Sequence, residues 1–134
     1  MIAQIYYPNR KIVAVMGDSA FGFSGMDLET AARYKMPLII FVINNNGIYT
    51  GLDKAKFSAI ESSRLPASCL LPETRYEKIA EMVGGKGWLV QTPSELCDAA
   101  VKAFKEKEKV CVINVLIDPR GPNTIVRRVF ESHK

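Results

Sequence analysis

The chain has 134 residues, of which 48% are apolar and 24% charged, with a formal net charge of +4. That suffices for one globular domain with a real core, and no apolar run reaches the roughly 18 residues of a membrane span. The charge is mild: Lys102, Lys105, Lys107 and Lys109 alternate with Glu106 and Glu108, which reads as a solvated helix face rather than a nucleic-acid patch.

In chain order, residues 2–7 are apolar and fit either a strand or the end of a helix, and Pro8-Asn9-Arg10 makes a turn. Residues 12–16 read as a short buried strand. Residues 17–25, rich in small side chains, read as a loop. A helix is predicted over 26–35, with Leu28, Ala31 and Ala32 available for packing, and Pro37 ends it. Residues 38–43 form a second strand, apolar throughout, as expected of one covered on both faces. Residues 46–73 show no period and are punctuated by Gly47, Gly51, Pro66 and Pro72, the mark of a functional loop.

Thr74 and Glu77 have capping-box spacing, predicting a helix to about Val83 that Gly84-Gly85 stops. Residues 88–91 read as a third strand. Thr92-Pro93-Ser94-Glu95 is a second capping box, with proline at the first helical position. Leu96, Ala99, Ala100, Ala103 and Phe104 then recur at helical spacing. Residues 110–117 form a fourth strand, and Asp118 to Pro122 break structure before a polar, basic tail. Strands alternating with helices predict an α/β fold, a mainly parallel open sheet flanked by helices.

Cys69, Cys97 and Cys111 have neither disulfide-framework nor zinc spacing. They read as reduced thiols of an intracellular protein. A thiol nucleophile would need a nearby base, and His133 is the single histidine. Met1-Ile2-Ala3-Gln4 lacks the basic start and apolar stretch of a signal peptide.

Two residues stand out. Asp18 directly follows the first strand and Asn45 the second. If those strands are parallel neighbours, both oxygens emerge at one edge of the sheet, where open α/β sheets bind ligands. A carboxylate and an amide carbonyl are hard donors suited to Mg²⁺ or Ca²⁺. Two side chains are too few for Mg²⁺, so a phosphate-bearing ligand should complete the shell. Gly17 and Gly22 have P-loop spacing, but Phe23 stands where the lysine belongs. The dinucleotide fingerprint fails at its second glycine, replaced by Ser19. The third reading is a strand-Gly-Asp loop that cradles a diphosphate through Mg²⁺. The plainer alternative has Asp18 cap a turn and the Asn run form a hairpin-like turn, and the matching Asn run after the next strand favours the diphosphate. Amides at the start of the 26–35 helix would face the phosphates, and the Ser19 hydroxyl would donate to one.

Gly17-Asp18-Ser19, with Asn44-Asn45-Asn46-Gly47 after a helix and a strand, resembles the signature of thiamine-diphosphate enzymes. The stretch from Gly17 to Thr30, Asn44 to Tyr49, and Gly84-Gly85-Lys86-Gly87 narrow the resemblance to the branch containing 2-hydroxyacyl-CoA lyase and oxalyl-CoA decarboxylase. Leu70-Leu71-Pro72, Tyr76-Glu77 and Gln91 to Leu96 favour the lyase. The resemblance implies thiamine diphosphate and Mg²⁺ as cofactors. Asp18, the Asn45 side chain and the Gly47 carbonyl would be the metal ligands. Gly17, Asp18, Ser19, Ala20, Asn45, Gly47, Ile48 and Tyr49 would bind cofactor, and Tyr49 would serve as a catalytic residue at the reacting centre.

It further implies that residues 1–119 are a thiamine-diphosphate- and Mg²⁺-binding domain, N-terminally incomplete, followed by a tail over 120–134. The glutamate that activates the cofactor lies, in such enzymes, on an N-terminal pyrimidine-binding domain, so this chain alone should bind weakly and not turn over. An acyl-CoA substrate, with Arg120, Arg127 and Arg128 as candidates for its phosphates, and a homo-oligomer are also implied. A peroxisomal location would fit, although Ser132-His133-Lys134 lacks the terminal residue of such a signal. The rival from another class is a truncated module that folds without chemistry.

Overall fold

Four short runs, mostly apolar, supply the strands of the protein, whose computed structural model describes residues 1–121. They are β1 (Val13–Gly17), β2 (Ile39–Asn44), β3 (Lys86–Val90) and β4 (Cys111–Leu116). The helices are α1 (Ile2–Tyr6), α2 (Asp18–Ser24), α3 (Asp27–Arg33), α4 (Lys54–Ala59), α5 (Glu77–Met82) and α6 (Pro93–Lys105), with a 3₁₀ turn at Ser62–Arg64. All four strands run parallel in the order β1-β2-β4-β3, so the expected α/β sheet is present. None of the described helices is long and apolar enough to cross a membrane.

Side chains alternate across the strands and build two cores. On one face Val42 and Val112 pack with Phe21, Leu28, Ala31 and Ala80 from α2, α3 and α5. On the other, Ile39, Cys111 and Ile113 pack with Ala99 and Ala103 of α6. That second layer stops short of β1, where Val13 and Val15 stay 40% and 68% exposed. Gly17 of β1 lies opposite Ile43 of β2. The residues that follow each strand, Asp18 and Asn45, therefore leave the sheet at the same edge.

The structure corrects four expectations. Residues 17–25 are no loop: Asp18 opens a helix whose Phe21 is buried, edge-on to the Tyr76 ring at 5.7 Å between centroids. One strong anchor outweighs the small residues around it. Within 46–73, Asp53 caps α4 by accepting the Lys56 N–H at 2.9 Å. The Thr74 capping box does not form. The Thr74 hydroxyl donates to the Leu71 carbonyl at 2.7 Å, and Glu77 turns inward to Asn114. Phe104 is half exposed, because Leu96, Ala99, Ala100 and Ala103 already cover the sheet. The second capping box forms as expected, with Thr92 accepting the Glu95 N–H at 3.3 Å and Glu95 accepting the Thr92 N–H at 3.2 Å. Gly84, at φ 76°, ends α5.

Two stability predictions result. Thr92→Ala should cost about 1 kcal/mol in urea denaturation, and Thr74→Ala, which removes no helix cap, should cost less. The Lys86 ammonium, 2.6 Å from Glu106, holds that carboxyl down to about 2 from its ordinary 4.5. A lowered folded-state value stabilises above 4.5, and the contribution fades as pH falls from there toward 2. Lys86→Met should flatten that part of the acid dependence of the thermal midpoint.

Candidate functional site

Asp18 is the first residue of α2 and is fully buried. Its Oδ1 accepts the Ser19 N–H at 2.9 Å, and its Oδ2 accepts the Gly47 N–H at 3.0 Å. Burial pushes the carboxyl pKa up, against the amide bonds, which pull it down. Among the described residues no Lys or Arg side chain pairs with it. A desolvated carboxylate without a protein counter-charge is a favourable seat for a cation.

The turn after β2 supplies oxygens of the same kind. Asn45 is half-buried and donates from Nδ2 to the Tyr49 carbonyl at 3.0 Å, and its Oδ1 takes no hydrogen bond from the described residues. The Gly47 carbonyl likewise accepts none from them. Among the described residues no three His, Cys, Asp or Glu side chains gather into a metal cluster. The donor set at this edge is one carboxylate, one amide oxygen and one peptide carbonyl. All are hard and fit Mg²⁺ or Ca²⁺, not zinc.

The turn is tightly built. Gly47 bridges antiparallel to Cys69, with the Ile48 N–H donating to the Ser68 carbonyl at 2.8 Å and the Leu70 N–H to the Asn46 carbonyl at 3.0 Å. A Cβ at Gly47 would meet Gly51 Cα and the Ser68 oxygen at 2.8 Å. Asn46 and Tyr49 hold φ of 64° and 72°. Asparagine tolerates the left-handed region, but a tyrosine there is uncommon.

A cleft of about 220 Å³ opens beside Asp18 and Ser19, lined also by Gly22, Ile48, Leu70 and Tyr76. Tyr76 titrates above its ordinary value, through burial first and the Asp18 carboxylate second. Of the residues singled out in the sequence, Asp18, Ser19 and Ile48 share this cleft, and Gly47 is bonded directly to Asp18. Gly17 and Ala20 are exposed at the strand–helix junction, and Tyr49 is exposed without lining the cleft. The helix that starts beside Asp18 is α2; the predicted 26–35 helix, observed as α3, begins a full helix later. Arg120 binds Asp118 at 3.3 Å and lies 4.0 Å from Asp53. Arg127, Arg128 and Ser132-His133-Lys134 lie outside the described residues.

Sequence reasoning missed the polar groups behind the turn. Asn44, Asn114 and Glu77 are fully buried and bonded to one another. One signal was available: Asn114 interrupts the otherwise apolar run of β4.

The chain is similar to known proteins over most of its length. The sequence profile of the thiamine pyrophosphate enzyme C-terminal TPP binding domain matches residues 1–115. The chain is 40% identical to 2-hydroxyacyl-CoA lyase 1 of Mus musculus over 126 residues, covering 90% of the chain and 22% of that protein. It is 45% identical to 2-hydroxyacyl-CoA lyase of Oryza sativa subsp. japonica over 121 residues, covering 87% of the chain and 20% of that protein. Among solved structures, the thiamine diphosphate-dependent 4-hydroxybenzoylformate decarboxylase of Rhodococcus jostii RHA1 superimposes with a TM-score of 0.68 at 26% identity, over 87% of the chain and 21% of its own. The chain thus spans about one fifth of the length of the relatives it matches.

The packing of the turn gives a prediction. A methyl at Gly51 would lie 2.1 Å from the Asn45 carbonyl oxygen, whereas one at Gly22 meets nothing within 4 Å. Gly51→Ala should destabilise by about 1–3 kcal/mol, and Gly22→Ala, inside α2, should stabilise by about 0.5–1 kcal/mol. Chemical denaturation of the two variants checks both.

Proposed function

The chain belongs to the thiamine pyrophosphate enzymes, as their C-terminal TPP-binding domain, and from that membership we propose that it is the cofactor-diphosphate domain of a 2-hydroxyacyl-CoA lyase. The proposed reaction cleaves a 2-hydroxyacyl-CoA to formyl-CoA and an aldehyde one carbon shorter. The observation that carries the proposal is the buried Asp18 carboxylate bonded to the Gly47 N–H, with the Asn45 Oδ1 and the Gly47 carbonyl left uncommitted beside it. These three oxygens would hold Mg²⁺, and the metal would bridge to the diphosphate.

When bound, thiamine diphosphate supplies a carbon nucleophile and an electron sink for breaking a carbon–carbon bond. This chain's own residues anchor and orient. Ala20, in the first turn of α2, and Gly17 before it would offer their amides to the diphosphate, and Ser19, whose own N–H is held by Asp18, its hydroxyl. Ile48 and Leu70 give the cleft an apolar wall that limits water. Tyr49, held at positive φ, is assigned to the reacting centre.

The activating glutamate belongs to a separate pyrimidine-binding domain in this reading. The uncovered valines of β1 favour a chain that works in company, as part of a homo-oligomer. A peroxisomal, intracellular location belongs to the same reading. Arg120 is assigned to the acyl-CoA phosphates, to which it would turn from Asp118 and Asp53. A second reading, an oxalyl-CoA decarboxylase, keeps the same anchor. The decarboxylase among the similar structures supports it at the level of the cofactor.

Calorimetric titration of thiamine diphosphate into the chain, with and without Mg²⁺, tests the anchor. Binding should depend on Mg²⁺ and should vanish in Asp18→Ala and weaken in Asn45→Ala. A folded chain that shows no such binding, even with a pyrimidine-binding domain added in trans, sinks the proposal. Once the domains are joined, release of formyl-CoA from 2-hydroxyacyl-CoA, as against CO₂ from oxalyl-CoA, separates the two readings.

A further inference from the structure

A continuous line of buried hydrogen bonds runs from α5 to the turn after β2. Arg75 donates to one oxygen of Glu77, whose side chain is 1% exposed. Asn114 Nδ2 donates to the other at 2.8 Å and to the Thr74 carbonyl at 2.9 Å. Asn44 Nδ2 donates to Asn114 Oδ1 at 3.2 Å and to the same Thr74 carbonyl at 3.1 Å. With its Nδ2 committed to those two acceptors, Asn44 presents Oδ1 to the Asn46 N–H at 3.2 Å. Asn46 in turn accepts the Glu73 N–H at 2.9 Å and donates to the Leu52 carbonyl at 3.0 Å. The next residue is Gly47, whose N–H meets Asp18.

These groups lie under α5, on the face where Val42 and Val112 are apolar. Buried polar and charged groups are costly unless fully bonded, and an apolar replacement of equal volume is often no less stable. What the polar set adds is direction. It fixes which way the Asn44 amide points, and so holds Asn46 in its left-handed conformation.

We propose that Glu77 is a positioning residue, which acts through Asn114 and Asn44 to hold the Asn45–Gly47 turn where Gly47 meets Asp18. The proposal deepens the reading of that turn as the cofactor anchor and rests on it. Glu77 touches neither cofactor nor substrate. It acts from behind the donor set, as outer residues orient the ligands of many metal sites.

The test compares amide hydrogen exchange in the chain without cofactor. Asn114→Ala and Glu77→Ala are set against Ile79→Ala, which weakens the packing of the same helix without touching the line of bonds. Exchange at Asn46 and Gly47 should speed up by about tenfold in the first two relative to Ile79→Ala, once global stability is matched by added denaturant. Glu77→Gln is the conservative variant, because its Oε1 still accepts the Asn114 Nδ2–H while Arg75, more than half exposed, moves aside from the new amide. It should retain most of the protection that Glu77→Ala loses. Equal exchange in Asn114→Ala, Glu77→Ala and Ile79→Ala overturns the proposal, and so does a Glu77→Gln no better protected than Glu77→Ala. Mg²⁺-dependent thiamine diphosphate binding, measured on the same proteins, should fall by about tenfold in Asn114→Ala and hold in Ile79→Ala. Normal exchange results beside a wild-type chain that binds no cofactor would overturn the anchor reading and leave the bracing of the turn standing.

Discussion

The hydrogen bond from the Gly47 N–H to the Asp18 carboxylate joins two places 29 residues apart and ties the ends of adjacent parallel strands. Each part of the surrounding architecture serves that meeting. Parallel pairing of β1 with β2, in a register that sets Gly17 opposite Ile43, brings the two segments to one edge. Phe21 and Tyr76 seat α2 so that Asp18 stays buried at its start. Gly51 and Gly47 allow backbone to pass against backbone where a single added carbon would collide. Moving any of these parts would leave the carboxylate buried without its donor, which is the costly state for a charge.

The polar interior divides into two zones with opposite jobs. In the front zone, at the cleft, acceptors remain open: Asn45 Oδ1 and the Gly47 carbonyl take no hydrogen bond from the described residues. In the rear zone, Asn44, Asn114 and Glu77 are bonded to each other and to the Thr74 carbonyl. Satisfied groups behind and unsatisfied groups in front are what a preorganised ligand site requires, since the orientation of the donors is settled before the ligand arrives.

Local chemistry was legible where it acts locally. The Thr92 cap, the Gly84 stop and the apolar strands could be read from adjacent residues, and so could the common edge at which Asp18 and Asn45 emerge, because parallel strands carry their ends to one side. Features decided at long range were not. Residues 17–25 look like a loop until Phe21 is seen against Tyr76, 55 positions away in the chain. Thr74 and Glu77 look like a capping box until Asn114, which lies 37 positions beyond Glu77, claims its carboxylate. The same spacing of residues gave one real cap and one false one, and the difference lay in a partner on β4. The long stretch after Gly47 has no period because its order comes from hydrogen bonds to the turn, not from a buried face.

The strand that leads into Asp18, β1, is an edge strand, and its own Val13 and Val15 are uncovered. Unpaired N–H and C=O groups in a row beside apolar side chains form a template onto which another strand adds. When the chain is handled by itself at high concentration, that edge invites self-association without any loss of the fold. Light scattering will then rise with concentration while circular dichroism stays constant. Ligand affinities obtained in that regime will describe a mixture of single and clustered chains.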